Sequence, residues 1–478
     1  MSTTNTDPPS LYAPREPIFP KRVSGWFRTL KWRLLILTLG IYYLGPWLRW
    51  DRGPELPDQA ILIDLAGRRF FFFWIEIWPH EFYFIAGLLI MAGLGLFLFT
   101  SALGRVWCGY ACPQTVWTDL FLAVEGWVEG DRNARIKLLK QKYDLRKLRL
   151  RMTKWTLWLL IAVATGGAWV FYFADAPTLA VQLVTLEANT IAYVSIGILT
   201  ATTFIFGGFM REQVCIYMCP WPRIQAAMMD EETLTVAYRD WRGEPRGKHM
   251  KRAAAEDAPR GDCVDCNACV AVCPTGIDIR DGQQLECITC ALCIDACDDV
   301  MHKLGRERGL IDYISLADEK RERDGGEAEP AWKRIFRLRV LIYTAAWSAI
   351  GIGLLFLLFI RSEIDISVSS VRNPVYVTLS DGGVRNAYDM RLRNKHGEAR
   401  TYRIAISTED MLRLRLEGTY ERRVTVPADE TMEQRLYVIA KPDNPAAAAN
   451  STPIRFWVED VINGERAYAD ARFRGRSD

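Results

Sequence analysis

Long apolar runs separated by short polar connections dominate the first half of the chain. About 20 apolar residues in helical form cross ~30 Å of hydrocarbon. Five segments qualify: Trp32–Trp50, Phe82–Leu103, Lys154–Phe173, Thr190–Met210 and Leu338–Ile360. They predict an α-helical transmembrane domain of about five helices. The first is the shortest, with Arg33 and Arg49 near its ends. The tail before it is polar and Pro-rich, without a short apolar stretch and small-residue cleavage site, so no signal peptide is expected. After Ile360 the period changes to two. Ile364–Val371, Tyr388–Leu392, Thr401–Ser407, Tyr420–Val426, Arg435–Ala440 and Ile454–Val461 alternate polar with apolar residues. Turn residues such as Asp381-Gly382-Gly383 and Asn463-Gly464 separate them. This pattern predicts a C-terminal all-β sandwich of immunoglobulin-like type. It contains no Cys, which excludes the antibody-style disulfide.

Charge orients the helices. Residues 1–33 carry six Lys/Arg against two acids, and Arg132–Lys154 carry ten against one. Ala174–Asn189 has no Lys or Arg, and Asp51–Glu81 is net acidic. These connections alternate as the positive-inside rule requires. The N-terminus, residues 104–153 and residues 211–337 are therefore expected in the cytoplasm, and 361–478 outside, in a bacterial periplasm. The order of parts is a cytoplasmic tail (1–31), a transmembrane domain (32–237), a cluster module (255–312), a charged linker (313–337), a fifth membrane helix (338–360) and an outer domain (361–478). The net charge of +3 gives no general reason to expect nucleic-acid binding. The basic stretch is accounted for by topology and adjacent anionic lipid. The 17 Trp, 18 Tyr and 21 Phe suit membrane interfaces.

All 12 Cys fall in short-spaced groups. In a long chain that pattern reads as metal or redox ligands. The four His (His80, His249, His302 and His396) are scattered, which disfavours a His-rich metal site. Cys263-x2-Cys266-x2-Cys269-x3-Cys273-Pro274 is followed by Cys287-x2-Cys290-x2-Cys293-x3-Cys297. This is the two-cluster spacing of bacterial-type ferredoxins, in which each fourth Cys serves the other cluster. One 4Fe–4S cluster then takes Cys263, Cys266, Cys269 and Cys297; the second takes Cys287, Cys290, Cys293 and Cys273. Zinc is the competing reading, but its motifs rarely run three Cys at two-residue gaps and then repeat. Asp298 stands where a second Pro is usual, which leaves that loop's exit geometry open.

The remaining four Cys form a duplicated motif. Cys108-Gly-Tyr110-Ala-Cys112-Pro113 follows the second apolar segment, and Cys215-Ile-Tyr217-Met218-Cys219-Pro220 follows the fourth. Each has an Arg upstream, Arg105 or Arg211. Pro at the first position of a helix would place Cys112 and Cys219 at helix N-termini, where thiolate is stabilised. Alternatively, the i, i+4 spacing puts each pair on one helix face. Thiolates and thioethers select Cu(I), and Met210, Met218, Met228 and Met229 lie near. A copper or thiol redox site, a third cluster on all four Cys, and plain packing residues all remain open. Tyr110 and Tyr217 are expected as interfacial anchors.

Taken together, these motifs, the outer domain and the stretch Leu379-Ser-Asp-Gly-Gly-Val-Arg-Asn386 resemble the cytochrome c oxidase accessory protein family known as CcoG, FixG or RdxA. The resemblance covers all but the first ~25 residues and the charged linker. It implies a role in assembling a cbb3-type oxidase by reducing Cu(II) to Cu(I), with Cys108, Cys112, Cys215 and Cys219 as the copper site. A cytoplasmic electron donor, a copper transporter or chaperone, oxidase assembly components and membrane lipid are the expected partners; homo-oligomerisation stays open. Two other readings stand beside it. A quinol-linked membrane ferredoxin subunit would react with quinol independently of copper. A non-catalytic assembly scaffold would keep its function after loss of one cluster ligand.

Overall fold

The structure is a computed structural model that describes residues 17–476 apart from 54–55, 248–260, 331, 334–335, 362–363, 397, 408–411 and 429. The tail up to residue 16, His249 and the first residues of the expected cluster module (255–260) lie outside the described residues. The chain forms two units, one of Met1–Leu48 and Ile61–Ile352, the other of Arg49–Ala60 and Gly353–Asp478.

In the first unit, α1 (Trp26–Leu44) begins earlier than the apolar run and stops before Gly45–Trp47, where Pro46 cannot continue it. Helix α2 (Tyr83–Leu103) ends at Gly104, whose φ of 63° reverses the chain. Short α3 (Val106–Tyr110) and α4 (Pro113–Val128) follow, then α5 (Arg132–Lys140) and α6 (Leu145–Val170). The Asp144 carboxylate caps α6 by accepting the Lys147 backbone N–H at 2.7 Å, so this helix also starts well before its apolar run. The helix Thr190–Thr203 continues into a widened π-type stretch, Phe204–Met210. Among the described residues, three helices are long and apolar enough to cross a membrane: Tyr83–Leu103, Thr190–Met210 and Leu338–Ile360. The expected segments at 32–50 and 154–173 lie largely within α1 and α6, each of which also carries charged residues. Periodicity missed a three-stranded antiparallel sheet of Ile61–Asp64, Arg69–Phe72 and Ile75–Ile77. Around the cluster module, Thr235–Tyr238 pairs antiparallel with Ile311–Ile314 and joins the segments on either side of it.

The second unit holds two antiparallel sheets. The first runs Leu412–Leu416, Thr431–Ala440, Val384–Asn394, Ile364–Ser370, with Val377–Thr378 also on Val384–Asn394. The second runs Arg423–Val426, Arg400–Ile406, Thr452–Asp460, Arg466–Phe473. Alternate residues of both sheets enter one core, with Tyr388, Tyr402, Phe456 and Phe473 fully buried. Leu412–Leu416 and Arg466–Phe473 are strands that sequence patterning did not pick out, because Arg and Asp on their outer faces dilute the apolar signal.

Candidate functional site

The two four-Cys runs adopt the same backbone. Asp265 and Asn267 in the first run have φ of 50° and 55°; Thr289 and Ala291 in the second have 56° and 58°. Left-handed residues placed this way fold successive backbone N–H groups into a concave, anion-binding surface. Short helix Ala268–Val272 carries Cys269, and helix Leu292–Lys303 carries Cys293 and Cys297. Pro274 accompanies the end of the first helix, whereas Asp298 lets the second continue and accepts the Gly309 N–H at 3.0 Å. That settles the open exit geometry as a longer helix.

Cys263, Cys266, Cys269 and Cys297 line one cavity of about 360 Å³. Cys273, Cys287, Cys290 and Cys293 line another of about 360 Å³, with Cys269 at its edge. Burial pushes Cys297 up to about 12, and the neighbouring charges of Cys269, Cys266 and Cys263 raise it further. Burial likewise pushes Cys290 up to about 12 and Cys269 to about 11. Crowded buried thiols are poor thiolates on their own and call for a metal's positive charge. Among the described residues, no three His, Cys, Asp or Glu side chains close on a single metal ion. Four thiolates spread around a cavity, one for each iron, fit a 4Fe–4S cubane.

Cys108, Cys112, Cys215 and Cys219 form a second group. Burial pushes Cys108 up to about 11, Arg105 lowers it, and Cys112 and Cys219 raise it. Burial pushes Cys215 up to about 12, with Cys112, Cys108 and Cys219 adding to the rise. The two copies of the motif thus place their thiols within mutual electrostatic reach. The expected easy thiolate is not found at Cys108 or Cys215, since burial outweighs Arg105. Cys112 does precede a helix, α4 with Pro113 first. Cys219 instead ends a π-type stretch, Val214–Met218, and Pro220 caps the helix Trp221–Met228. The Cys108 S–H donates to Gln225 Oε1 at 3.0 Å. Met228 is buried, while Met218 is 51% exposed beside Cys219.

The first copy is packed against the loop of the second cluster cavity. A Cβ on Gly109 would lie 2.7 Å from the Ile288 carbonyl and 3.0 Å from Cys290 Cα, so only glycine permits this approach. Tyr110 donates its hydroxyl to the Cys290 carbonyl at 3.2 Å and is 5% exposed. It is therefore a buried strut, not the interfacial anchor expected. Arg105 donates to the Leu285 carbonyl, and its charge reaches both Cys108 and Cys287.

Several residues of this assembly carry no motif. Asp295, between Cys293 and Cys297, accepts the backbone N–H groups of Phe27 at 3.2 Å and Arg28 at 2.8 Å, capping α1. Gly25 allows it, since a Cβ there would meet Asp295 Cγ at 2.2 Å. Buried Lys31 pairs with Asp119 at 3.2 Å and lowers the Cys290 thiol electrostatically. Arg280 is held by Asp265 at 2.8 Å and Asp278 at 2.6 Å, and its charge favours the Cys269 thiolate. Only the Asp278–Arg280 pair is local enough to be seen in sequence.

Comparison with known proteins agrees with this division. A "4Fe-4S dicluster domain" family matches residues 210–316, a "4Fe-4S binding domain" family matches 84–132, and the family "IG-like fold at C-terminal of FixG" matches 354–476. Protein RdxB of Cereibacter sphaeroides is 67% identical over 476 residues, 100% of both chains. Protein RdxA of the same organism is 60% identical over 468 residues, covering 97% of this chain and 98% of that one. Nitrogen fixation protein FixG of Rhizobium meliloti is 55% identical over 489 residues, covering 97% and 93%.

Proposed function

This chain belongs to the FixG/CcoG/RdxA family of iron–sulfur redox proteins, and from that premise we propose that it is a membrane-bound cupric reductase serving the assembly of a cbb3-type oxidase. The observation that supports the reading is that Cys108 and Cys215 feel the charges of the other motif thiols, while Gly109 packs on the Ile288–Cys290 backbone. The reaction is the one-electron reduction of Cu(II) to Cu(I), for which the bound 4Fe–4S clusters supply the electron.

The chain's residues set up the rest. The four thiols take copper as substrate, and thiolate ligation favours Cu(I) over Cu(II). The raised proton affinity of Cys108 and Cys215 means that copper binding there releases protons, so affinity climbs with pH. Gln225 orients Cys108, and Gly109 with Tyr110 keeps the thiols close to the cluster loop. Exposed Met218 offers a thioether on the open side, from which Cu(I) passes to a transporter or chaperone. By the positive-inside rule, the basic connections support a cytoplasmic side for the thiols and the cluster module, where an electron donor would reach them, and a periplasmic side for the two-sheet domain.

The test is anaerobic. Reduced protein in detergent receives Cu(II), and a Cu(I)-chelating dye is followed together with the iron–sulfur absorbance. Stoichiometric Cu(I) with matching cluster reoxidation is expected, and it should disappear when all four Cys are changed to Ser while cluster absorbance remains. Reduced clusters indifferent to Cu(II) would sink the reading. The family match over 84–132 favours one second reading, a third 4Fe–4S cluster on the same four Cys. Iron analysis separates them: about eight irons per chain for two clusters, about twelve for three.

A further inference from the structure

Beside the cluster module lies a cavity of about 310 Å³ that neither the clusters nor the four thiols use. Its walls come from the N-terminal segment, the first turns of α1, α4, α5 and the loop at Pro274. Lys21, Arg22, Arg28 and Arg135 line it, with Asp119 as the sole acid among its lining residues. That carboxylate is already shared by Arg28 at 3.0 Å and Lys31 at 3.2 Å. Arg135 is buried and bound to Glu125 and the Pro20 carbonyl, yet its buried Nε has no hydrogen-bond partner among the described residues. Neither Lys21 nor Arg22 has an ion-pair partner among the described residues. The Arg22 guanidinium lies over Gly126, where a Cβ would come within 2.8 Å of Nη2. The backbone fixes it there, since the Arg22 N–H donates to Asp131 at 3.0 Å and the Lys21 N–H to the Ala271 carbonyl at 2.7 Å. The lining thus carries four cations to one acid, with Glu125 paired to Arg135 and the Asp131 carboxylate within electrostatic reach of Arg22 and Arg135.

The rest of the lining is apolar, including Trp32, Leu122 and Leu292. Trp127, next to lining residue Gly126, and Trp26, two residues before Arg28, are 76% and 68% exposed, and farther along the same basic stretch Tyr143 and Leu145 are 79% and 85% exposed. Exposed aromatic and leucine side chains among cations mark the headgroup level of a membrane. Guanidinium groups bind phosphate through paired N–H donors, and basic pockets between helices at that level hold acidic lipid headgroups. We infer that this cavity is a specific site for the phosphate headgroup of an anionic phospholipid, bound between α1, α4 and the cluster module. The site stands apart from the copper reading and survives its failure. Its occupant would bridge the membrane surface to the loop that carries Cys273 and Pro274, holding the module down by a third contact besides Asp295 and Gly109.

The test uses the full chain with its clusters in a neutral detergent. Native mass spectrometry and thermal unfolding are compared with phosphatidylglycerol, phosphatidylcholine or inorganic phosphate added. Phosphatidylglycerol should stay bound and raise the melting temperature, and phosphatidylcholine should do neither. The double variant Lys21→Ala/Arg22→Ala should weaken phosphatidylglycerol binding about tenfold or more, each cation near a membrane surface being worth about 1 kcal/mol. Its cluster absorbance should be unchanged, and exposed Lys303→Ala should bind as the unmodified chain does. Equal retention of both lipids, or full binding by the double variant, overturns the proposal. A shift with inorganic phosphate as large as with phosphatidylglycerol overturns the lipid assignment, leaving a simple phosphate site.

Discussion

The two copies of Cys-x-Tyr-x-Cys-Pro start from nearly the same sequence and end in different surroundings. In the first, α2 closes at Gly104 and Arg105 turns toward the thiols and the Leu285 carbonyl. In the second, the helix widens into π geometry and turns at Arg211, a non-glycine residue at φ 31°. Arg211 points away from its own Cys pair, to Glu125 at 2.9 Å and over the Trp158 ring at 5.3 Å. Tyr110 is buried on the Cys290 loop, while Tyr217 is 80% exposed. A duplicated motif has thus been divided: one copy is buried against the Cys290 loop and the other leaves its tyrosine exposed. Strained backbone is tolerated where surrounding contacts over-determine it. Here the amide of Gln114, from the first copy, donates to the Phe206 and Arg211 carbonyls at 2.9 and 3.1 Å.

The strongest way to break this asymmetry is Glu125→Gln. Burial would raise the Glu125 carboxyl, but Arg211 and Lys154, with help from Arg135, hold it down at about 2. Removing its charge takes one ion-pair partner from three buried cations, of which Lys154 keeps Glu129, and should cost about 3–5 kcal/mol in thermal unfolding. The pH profile gives a second reading. A depressed carboxylate stabilises fully above its ordinary 4.5 and loses that contribution as pH falls toward about 2. That acid-side loss should be present in the unmodified chain and missing in the variant. Next, Gly104→Ala forces a Cβ to 2.7 Å from the Leu234 carbonyl at positive φ, and should destabilise by about 1–3 kcal/mol. Smaller again is Tyr110→Phe, which removes one buried hydrogen bond, about 0.5–1.5 kcal/mol. It should also slow cluster-to-copper transfer if the strut sets the spacing. The smallest effect belongs to Tyr217→Phe, which should leave melting within about 0.5 kcal/mol of the original. Equal effects of the two Tyr changes on stability and on copper reduction would erase the division between the copies.

Sequence legibility followed the range of the interactions. Eight Cys at fixed gaps lie within one short stretch, so two sets could be read from spacing; each set lines its own cavity, and Cys269 lines both. The duplicated motif hinted at one site, since paired units tend to pack together. What could not be read was the side chain that decides each environment. Asp295 caps α1 across a sequence separation of 267, and no periodicity marks it. The buried role of Tyr110 was hidden for the same reason: Cys290 is distant in sequence. Burial also reversed the expected thiol chemistry at Cys108 and Cys215, because local motifs show the Arg but not the desolvation. In the outer domain, Leu412–Leu416 alternates Leu with Arg, a strand whose outward half disguised its inward half.

The cap on α1 also has a consequence in time. Ribosomes deliver residues in order, so Phe27 and Arg28 reach the bilayer surface long before Asp295 exists. Until the module folds, the first turn of the first-made helix keeps its N–H groups bare. Asp295 sits between Cys293 and Cys297, so the carboxylate takes its place when those thiols take theirs. Folding of the second Cys run and completion of the earliest helix are therefore linked through one carboxylate.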